Sequence, residues 1–519
     1  MSQPIAAPKS AMQKFLDVVE RVGNKVPHPA VIFLMLIAIV VVLSQILHML
    51  GTSISYEFIN AETHKIETAT TPAKSLLTTE GLRFMYERLI PNFMNFTAVG
   101  LMIVAMVGAG VAEEAGLVKA LIRKLVLVSP PRALVYIMAF VGIMSSIAAD
   151  AGYLVLIPLA GAAFLSVDRN PLAGLALGFA GVASAFTVNM LIKPLDAVLV
   201  EFTNDAIHLV DPNASIGLTS NLWFSIASVV VLTGLIAFIT EKTIEPRLGQ
   251  YKPENGGTES AGQPAEGKTQ LSAEESRGLR YALFALLGTI VLFALMTIPH
   301  GAPLRNPDTG ALIGNSPFMN GLIALIMTVF LTTGAAYGIG SGSMKNLTDI
   351  IKAIEKALSG LGSLIFLFLI ISQFVAYFNY SNMGTILAVK MADVLRDSNI
   401  GPLWLLIGFI VVVAIVDLLI TGAIAKWAIF APIFVPLLMK LGVAPEAVLA
   451  AYRVGDSPIN SITPLNAYFA LVVVFAQKYD KNAGVGTVVA LMLPYVIWIL
   501  VVWTALFAAW HLAGLPWGL

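Results

Sequence analysis

The chain has 519 residues, of which 57% are hydrophobic and only 12% charged, at a mean hydropathy of +0.84. That is far too apolar for a soluble domain, and it points to a polytopic helical membrane protein. Lys+Arg and Asp+Glu number 31 each, so net charge suggests no nucleic-acid partner; the lack of cysteine excludes disulfides, haem attachment and thiolate metal sites, and the six histidines show no ligand spacing.

The N-terminal stretch to Pro29 is polar, and the apolar run after it is too long for the core of a cleavable signal. Within it, residues 10–25 pattern as a short amphipathic helix at the membrane surface or as a solvated leader. A first span is predicted at about 30–50, followed by a polar segment, 51–95, with an amphipathic piece around Leu82–Phe93. The second span, about 97–117, contains Val107-Gly108-Ala109-Gly110-Val111, small residues that let helices approach closely in lipid. Glu113 and Glu114 at its end are expected to be solvated.

From 132 to 165 the chain is apolar but interrupted at Ser145-Ser146-Ile147-Ala148-Ala149-Asp150, which suits a re-entrant hairpin. Residues 171–201 form a broken span with Thr187, Asn189, Lys193, Pro194 and Asp196 inside it. Proline there frees backbone carbonyls, tolerated only where protein encloses them. A plain span follows at 221–240, then a flexible polar linker within 241–278. Further spans are predicted at about 281–299, 317–339 and 361–383. A second hairpin, 402–440, breaks near Thr421-Gly422-Ala423; a second broken span, 444–477, carries Arg453 through Pro464; the last span is about 485–510.

Three segments recur in order at a separation of about 270 residues. Ala112-Glu113-Glu114-Ala115-Gly116-Leu117 is faintly echoed at Asn382-Met383-Gly384-Thr385, and Ala149-Asp150-Ala151-Gly152-Tyr153 returns as Ala423-Ile424-Ala425-Lys426-Trp427. Pro194-Leu195-Asp196-Ala197 returns as Pro464-Leu465-Asn466-Ala467. A duplicated membrane unit with matching polar breaks is the signature of a secondary transporter whose site lies where the repeats meet. With the N-terminus in the cytoplasm and each hairpin returning to its own side, Lys and Arg fall mainly inside, while Lys193, Lys426 and Arg453 stay at membrane depth. The expected architecture is an all-α polytopic membrane protein, an inverted-repeat secondary transporter of nine transmembrane helices and two re-entrant hairpins. Its parts are a surface helix, first span and periplasmic segment (1–95), first repeat (96–240), cytoplasmic linker (241–280), scaffold spans (281–340) and second repeat (341–519).

Ionisable groups at bilayer depth are costly and are functional candidates by default. The densest cluster is Arg453-Val454-Gly455-Asp456-Ser457-Pro458-Ile459-Asn460-Ser461-Ile462-Thr463-Pro464, which cannot be a continuous lipid-facing helix. Its Arg453 and Asp456 either bind substrate and ions or pair with each other, being three apart. Asp196 either carries protons or is locked to Lys193, again three away. Trp427 at the second hairpin either stacks on a flat ring or anchors at an interface; Asp150 at the first either serves the site or caps the tip. Asn189, Asn460 and Pro464 are secondary candidates, and Ser457, Asn460, Ser461 and Thr463 with freed carbonyls could hold sodium. Pro445 is an ordinary first-turn proline by position, and Asp417 needs a partner that its neighbours do not name.

The stretches Phe15 to Lys25, Ala149-Asp150-Ala151-Gly152-Tyr153-Leu154-Val155-Leu156-Ile157-Pro158-Leu159 and Ala451-Tyr452-Arg453-Val454-Gly455-Asp456-Ser457 resemble the AbgT family of p-aminobenzoyl-glutamate transporters. The resemblance implies a homodimer in the bacterial inner membrane, nine spans with two hairpins, and a cytoplasm-facing cavity in each protomer. It implies transport of folate breakdown products, or sulfonamide export, driven by the proton gradient, and a site formed by Asp196, Trp427, Pro445, Arg453 and Asp456. The second hairpin tip departs from the family's Ser- and Gly-rich pattern at Ile424, and Lys193-Pro194 is bulkier and more charged than the pattern leads one to expect. No cofactor is expected beyond a proton or, alternatively, a sodium gradient. Sodium-coupled carboxylate carriage is the second hypothesis. A channel and an intramembrane enzyme are the remaining classes, and no Gly-x-Ser-x-Gly, His-Glu-x-x-His or intramembrane Gly-x-Gly-Asp supports the last.

Overall fold

The computed structural model describes residues 29–59, 66–127, 130, 133–147, 152–251, 271–313, 316–387, 389–390, 400–418, 420, 422–463, 465–466 and 468–519. The amphipathic segment 10–25, Asp150, Pro464 and most of the linker lie outside the described residues.

Among the described residues, eight helices are long and apolar enough to cross a membrane. One is Thr79–Ala115, in which an amphipathic helix, Thr79–Met94, meets the Gly-rich span Thr97–Ala115 at a two-residue joint. The expected close approach occurs: a Cβ on Gly108 would sit 2.3 Å from the Met327 carbonyl oxygen, and one on Gly334 2.7 Å from the Ala112 Cα. The Leu322–Ser341 helix is thus seated backbone to backbone against Thr97–Ala115. Glu114 at the end of that span bonds Lys356 at 2.7 Å.

The two halves share an order of elements. The first hairpin is Leu134–Met144, a short 3-10 turn, and a returning stretch, Gly152–Leu156, that leads into Ile157–Ser166. The second is Pro402–Asp417 and Ala423–Lys440. Each is followed by a broken span. In the first, Pro171–Ala183 ends, ten residues run without regular helix, and Pro194–Ile207 resumes. In the second, Pro445–Asp456 gives way to a 3-10 turn, Pro458–Ser461, and Phe469–Gln477 resumes. Prolines at the first turns set these starts, where a missing N–H costs nothing.

The halves interlock through their hairpins. Tyr153 of the first hairpin stacks on Tyr468 beyond the second break, with ring centroids 4.3 Å apart. Its repeat mate Trp427 donates its indole N–H to the Leu199 carbonyl beyond the first break, at 3.0 Å. Each aromatic also meets the first helix of its own broken span, Tyr153 at Phe179 and Trp427 at Tyr452.

The polar segment expected at 51–95 also holds two antiparallel strands, Ser53–Ile59 and Ile66–Pro72. Two boundaries differ from expectation. The span after residue 222 continues through a wide turn to Leu248, and the next begins at Ala273. The second start is set by Ser272, which caps the Glu275 N–H while Glu275 bonds the Ser272 N–H in return. These helices occupy both ends of the expected linker.

Gly455 lies where the second hairpin crosses the second broken span. A Cβ there would meet the Ile410 carbonyl oxygen at 2.6 Å and the Val413 Cβ at 2.8 Å. Gly455→Ala should therefore force the two helices apart and cost about 1–3 kcal/mol, the usual range for overpacking. A lower melting temperature in detergent checks this; an unchanged one contradicts the contact.

Candidate functional site

Unwinding a span inside a protein leaves carbonyls that water cannot reach, and they need donors. At the first break the carbonyls of Phe186, Thr187 and Val188 find three side chains. Lys193 Nζ donates to Phe186, Arg453 Nη1 donates to Thr187 at 2.6 Å, and Ser146 Oγ of the first hairpin donates to Val188 at 3.5 Å. Arg453 comes from the other half of the chain, so the second broken span completes the first.

The same Arg453 nitrogen bonds Asp196 Oδ1 at 2.6 Å. The other Asp196 oxygen accepts the Lys193 backbone N–H at 2.9 Å, so the carboxylate also caps its own helix. Lys193 Nζ bonds Ser146 Oγ at 3.2 Å. The two breaks touch directly: Thr187 and Ser457 share a hydroxyl–hydroxyl hydrogen bond, and Thr187 Oγ1 donates to the Arg453 carbonyl at 3.1 Å. Thr187 and Ser457 are repeat mates at the separation of the Pro-Leu-Asp/Asn echo, as a two-fold relation between the breaks requires.

A second centre adjoins this one. Lys426 Nζ is in contact with Asp417 and lies 2.7 Å from Asp456 Oδ1. All three side chains are fully buried. Tyr452 Oη lies 2.5 Å from the Ala423 carbonyl and 2.8 Å from Asp456 Oδ1.

Neither local pairing weighed for these residues is what the structure adopts. Arg453 pairs with Asp196 instead of Asp456, and Asp456 pairs with Lys426. Both residues sit in the last turn of the continuous helix Pro445–Asp456, so spacing alone permits the pair; partners from other elements, Asp196 and Lys426, take them instead. Lys193 joins Asp196 through its backbone N–H while its ammonium turns to the break. Asp417 finds Lys426.

The other candidates divide. Trp427 has no exposed surface and also donates toward Thr203 Oγ1, at 3.1 Å. Pro445 opens the helix whose far end holds Arg453, eight residues and about 12 Å along. Asn189 ties the first break to the first hairpin, donating to the Met144 carbonyl and to Ser146 Oγ at 3.1 Å each. Asn460 donates to the Asp456 carbonyl at 3.2 Å, and Thr463 Oγ1 to the Leu418 carbonyl at 3.3 Å. Ser457, Asn460 and Thr463 thus address three different partners. Thr187, Ser146 and Tyr452 stand in the sequence as parts of the breaks and of the family-like stretch, not as site candidates; for Thr187 the usable signal is its repeat relation to Ser457.

The charge balance of the two centres decides what each can attract. Among the described residues the buried charged side chains are Lys193, Lys426, Arg453, Asp196, Asp417 and Asp456. The first centre has two cations and one carboxylate, and Arg453 Nε is buried without an acceptor. The second has two carboxylates in ion-pair contact with one ammonium, and Asp417 Oδ1 and Oδ2, Asp456 Oδ2 and Lys426 Nζ are buried without a hydrogen-bond partner. The first centre therefore suits an anion, the second one further positive charge. Asp196 is the access point: its side chain is 11% exposed, against 3% for Arg453 and none for the second centre.

Comparison with known proteins places the chain among membrane transporters. The model described as "AbgT putative transporter family" matches residues 14–519. The p-aminobenzoyl-glutamate transport protein of Escherichia coli K12 is 34% identical over 520 residues, covering 100% of this chain and 98% of its own. The Alcanivorax borkumensis YdaH transporter, described as having an unusual topology, superimposes with a TM-score of 0.87 at 39% identity, over 95% of this chain and 100% of its own. Neisseria gonorrhoeae MtrF, described as illuminating a class of antimetabolite efflux pumps, gives 0.89 at 36%, over 96% and 97%. The chain belongs to the AbgT family of membrane transporters, and it is a transporter rather than an enzyme.

Arg453→Ala should lower both substrate binding and melting temperature, because Asp196 Oδ1 and the Thr187 carbonyl lose a shared donor. Arg453→Lys keeps the charge but not the reach of the guanidinium or its Nε. It should recover stability in part while binding stays at least about tenfold weak, some 1.4 kcal/mol. Near-normal binding by Arg453→Lys in fluorescence titration would show that positive charge alone suffices.

Proposed function

We propose that this chain is a proton-coupled secondary transporter for p-aminobenzoyl-glutamate or related aromatic carboxylates, with sulfonamide export as the corresponding drug-efflux activity. The observation that carries the reading is the positive surplus at the seam of the two breaks. Lys193 and Arg453 face one Asp196 there, and Arg453 Nε still needs an acceptor. A substrate carboxylate answers both needs, and a charge-assisted bond at a buried guanidinium is a strong one. Its E. coli relative carries the name of p-aminobenzoyl-glutamate, and its Neisseria relative is described as an antimetabolite pump.

The residues take distinct roles in this reading. Arg453 holds the substrate carboxylate, and Lys193 adds positive charge behind it. Asp196, which competes with that carboxylate for Arg453, is released when substrate arrives and is then free to take a proton. Trp427 meets the aromatic ring once the second hairpin withdraws from the Pro194–Ile207 helix. Pro445 sets the start of the helix that aims Arg453. The chain is read as working in the bacterial inner membrane as a homodimer with its N-terminus in the cytoplasm, in two inverted repeats joined by the polar linker.

The test is transport in proteoliposomes under an imposed pH gradient of either sign, with and without sodium, using labelled p-aminobenzoyl-glutamate and a sulfonamide. Accumulation that follows the pH gradient, is unaffected by sodium, and is lost in Asp196→Asn is the expected result. Accumulation that follows sodium and ignores pH would replace this reading with a sodium-coupled carboxylate carrier.

A further inference from the structure

The second centre contains one residue outside the site read from the sequence, Lys426, and another, Asp417, for which no role was assigned. We infer that Asp417, Lys426 and Asp456 form a one-proton coupling site in which a tethered ammonium is shared by two carboxylates and the coupling proton supplies the missing charge. This rests on the transport reading above and adds, beside Asp196, a second group that takes up a proton.

The geometry is that of a cation site whose cation belongs to the chain. Asp417 and Asp456 are each the last residue of a helix, Pro402–Asp417 and Pro445–Asp456. Both helices therefore point their negative ends at the same place and add to the two carboxylates. Lys426, in the first turn of Ala423–Lys440, fills that place. One ammonium neutralises one carboxylate. The other remains buried with no exposed surface, a state that a buried ionised group escapes by binding a proton.

A hydrogen count points the same way. Tyr452 Oη has one hydrogen, yet lies within bonding distance of two acceptors, the Ala423 carbonyl at 2.5 Å and Asp456 Oδ1 at 2.8 Å. If the phenol donates to Ala423, a hydrogen on Asp456 completes the second contact. Loading is then a plain proton transfer. A proton from water joins a carboxylate of the pair, Lys426 is left as counter-ion to the other, and the centre passes from one net negative charge to neutral. Unloading returns the proton to water and restores the shared ammonium.

Sodium fits this centre poorly. The ion would need several oxygens, but Lys426 stands between the carboxylates. The nearby tip carbonyls of Leu418 and Ala423 already accept hydrogen bonds from Thr463 and Tyr452. The charged and titratable groups facing the pair are Lys426 from the second hairpin and Tyr452 on the Pro445–Asp456 helix, with Arg453 one turn from Asp456 on that helix but bonded to Asp196, and Lys193 of the first break within electrostatic reach of Asp456. On the Pro194–Ile207 helix, Glu201 bonds Thr97 and has Asp205 beside it; both belong to a separate acidic group.

The test is Asp417→Asn, which imitates a permanently loaded centre and leaves Lys426 paired with Asp456 alone. In proteoliposomes, pH-driven accumulation of p-aminobenzoyl-glutamate should fall to simple equilibration. Exchange of labelled for unlabelled substrate should continue, with a weaker dependence on pH than in the wild type. Accumulation by Asp417→Asn at the wild-type level overturns the inference while leaving the transport reading intact. Absence of pH-driven accumulation in the wild type overturns the transport reading, and this inference with it. Should Asp417→Asn not fold, Asp417→Glu is read instead. It keeps a titratable group one methylene longer and should accumulate substrate with a displaced pH profile; an unchanged profile overturns the inference.

Discussion

Arg453 is the interaction on which the rest of the site depends. It leaves the last turn of one broken span, crosses to the other, and bonds a freed carbonyl and a carboxylate with one nitrogen. Without it the first break would bury the Thr187 carbonyl and the Asp196 charge with no donor from the opposite half. The cost of such buried groups, a few kcal/mol each, is what ties two distant parts of the chain to one geometry. The same nitrogen lies where an anionic substrate would compete with Asp196. A structural bond and a binding contact therefore draw on one residue, and arrival of substrate must loosen the seam.

The placement of charge gives coupling a physical size. Arg453 and Asp456 lie one helical turn apart and belong to centres of opposite surplus, one positive and one negative. At a separation of about 5.5 Å and an effective dielectric constant near 20, two unit charges interact by about 3 kcal/mol. That is about a hundredfold in affinity. Neutralising one centre thus changes the other by an amount large enough to link substrate to proton without a long chain of intermediates.

Much of this was legible in the sequence because it is written in local breaks. Pro194, Pro445 and Pro458 stand where helices begin or change, and the breaks at 184–193 and after Asp456 fall within the expected polar stretches. Buried charge marked Asp196, Arg453 and Asp456 without any knowledge of the fold. Partner choice was not legible. Spacing along one helix made Arg453–Asp456 and Lys193–Asp196 the natural pairs, yet the folded chain joins Arg453 to Asp196 and Asp456 to Lys426. Those contacts cross between elements that only the duplicated fold brings together. The hairpin at 53–72 escaped notice for a simpler reason: its short strands carry no Asn-Gly or Asp-Gly turn between them.

The meeting of the two breaks can be tested in a chain that contains no native cysteine. Thr187 and Ser457 touch through their hydroxyls, so cysteines at both positions should lie within the short Cβ separation that a disulfide needs. Mild oxidation of Thr187→Cys/Ser457→Cys should yield an intramolecular disulfide, read as a mobility shift that reductant reverses and that neither single variant shows. Failure to cross-link, with both thiols remaining free and the protein folded, would contradict the meeting of the two repeats at this seam.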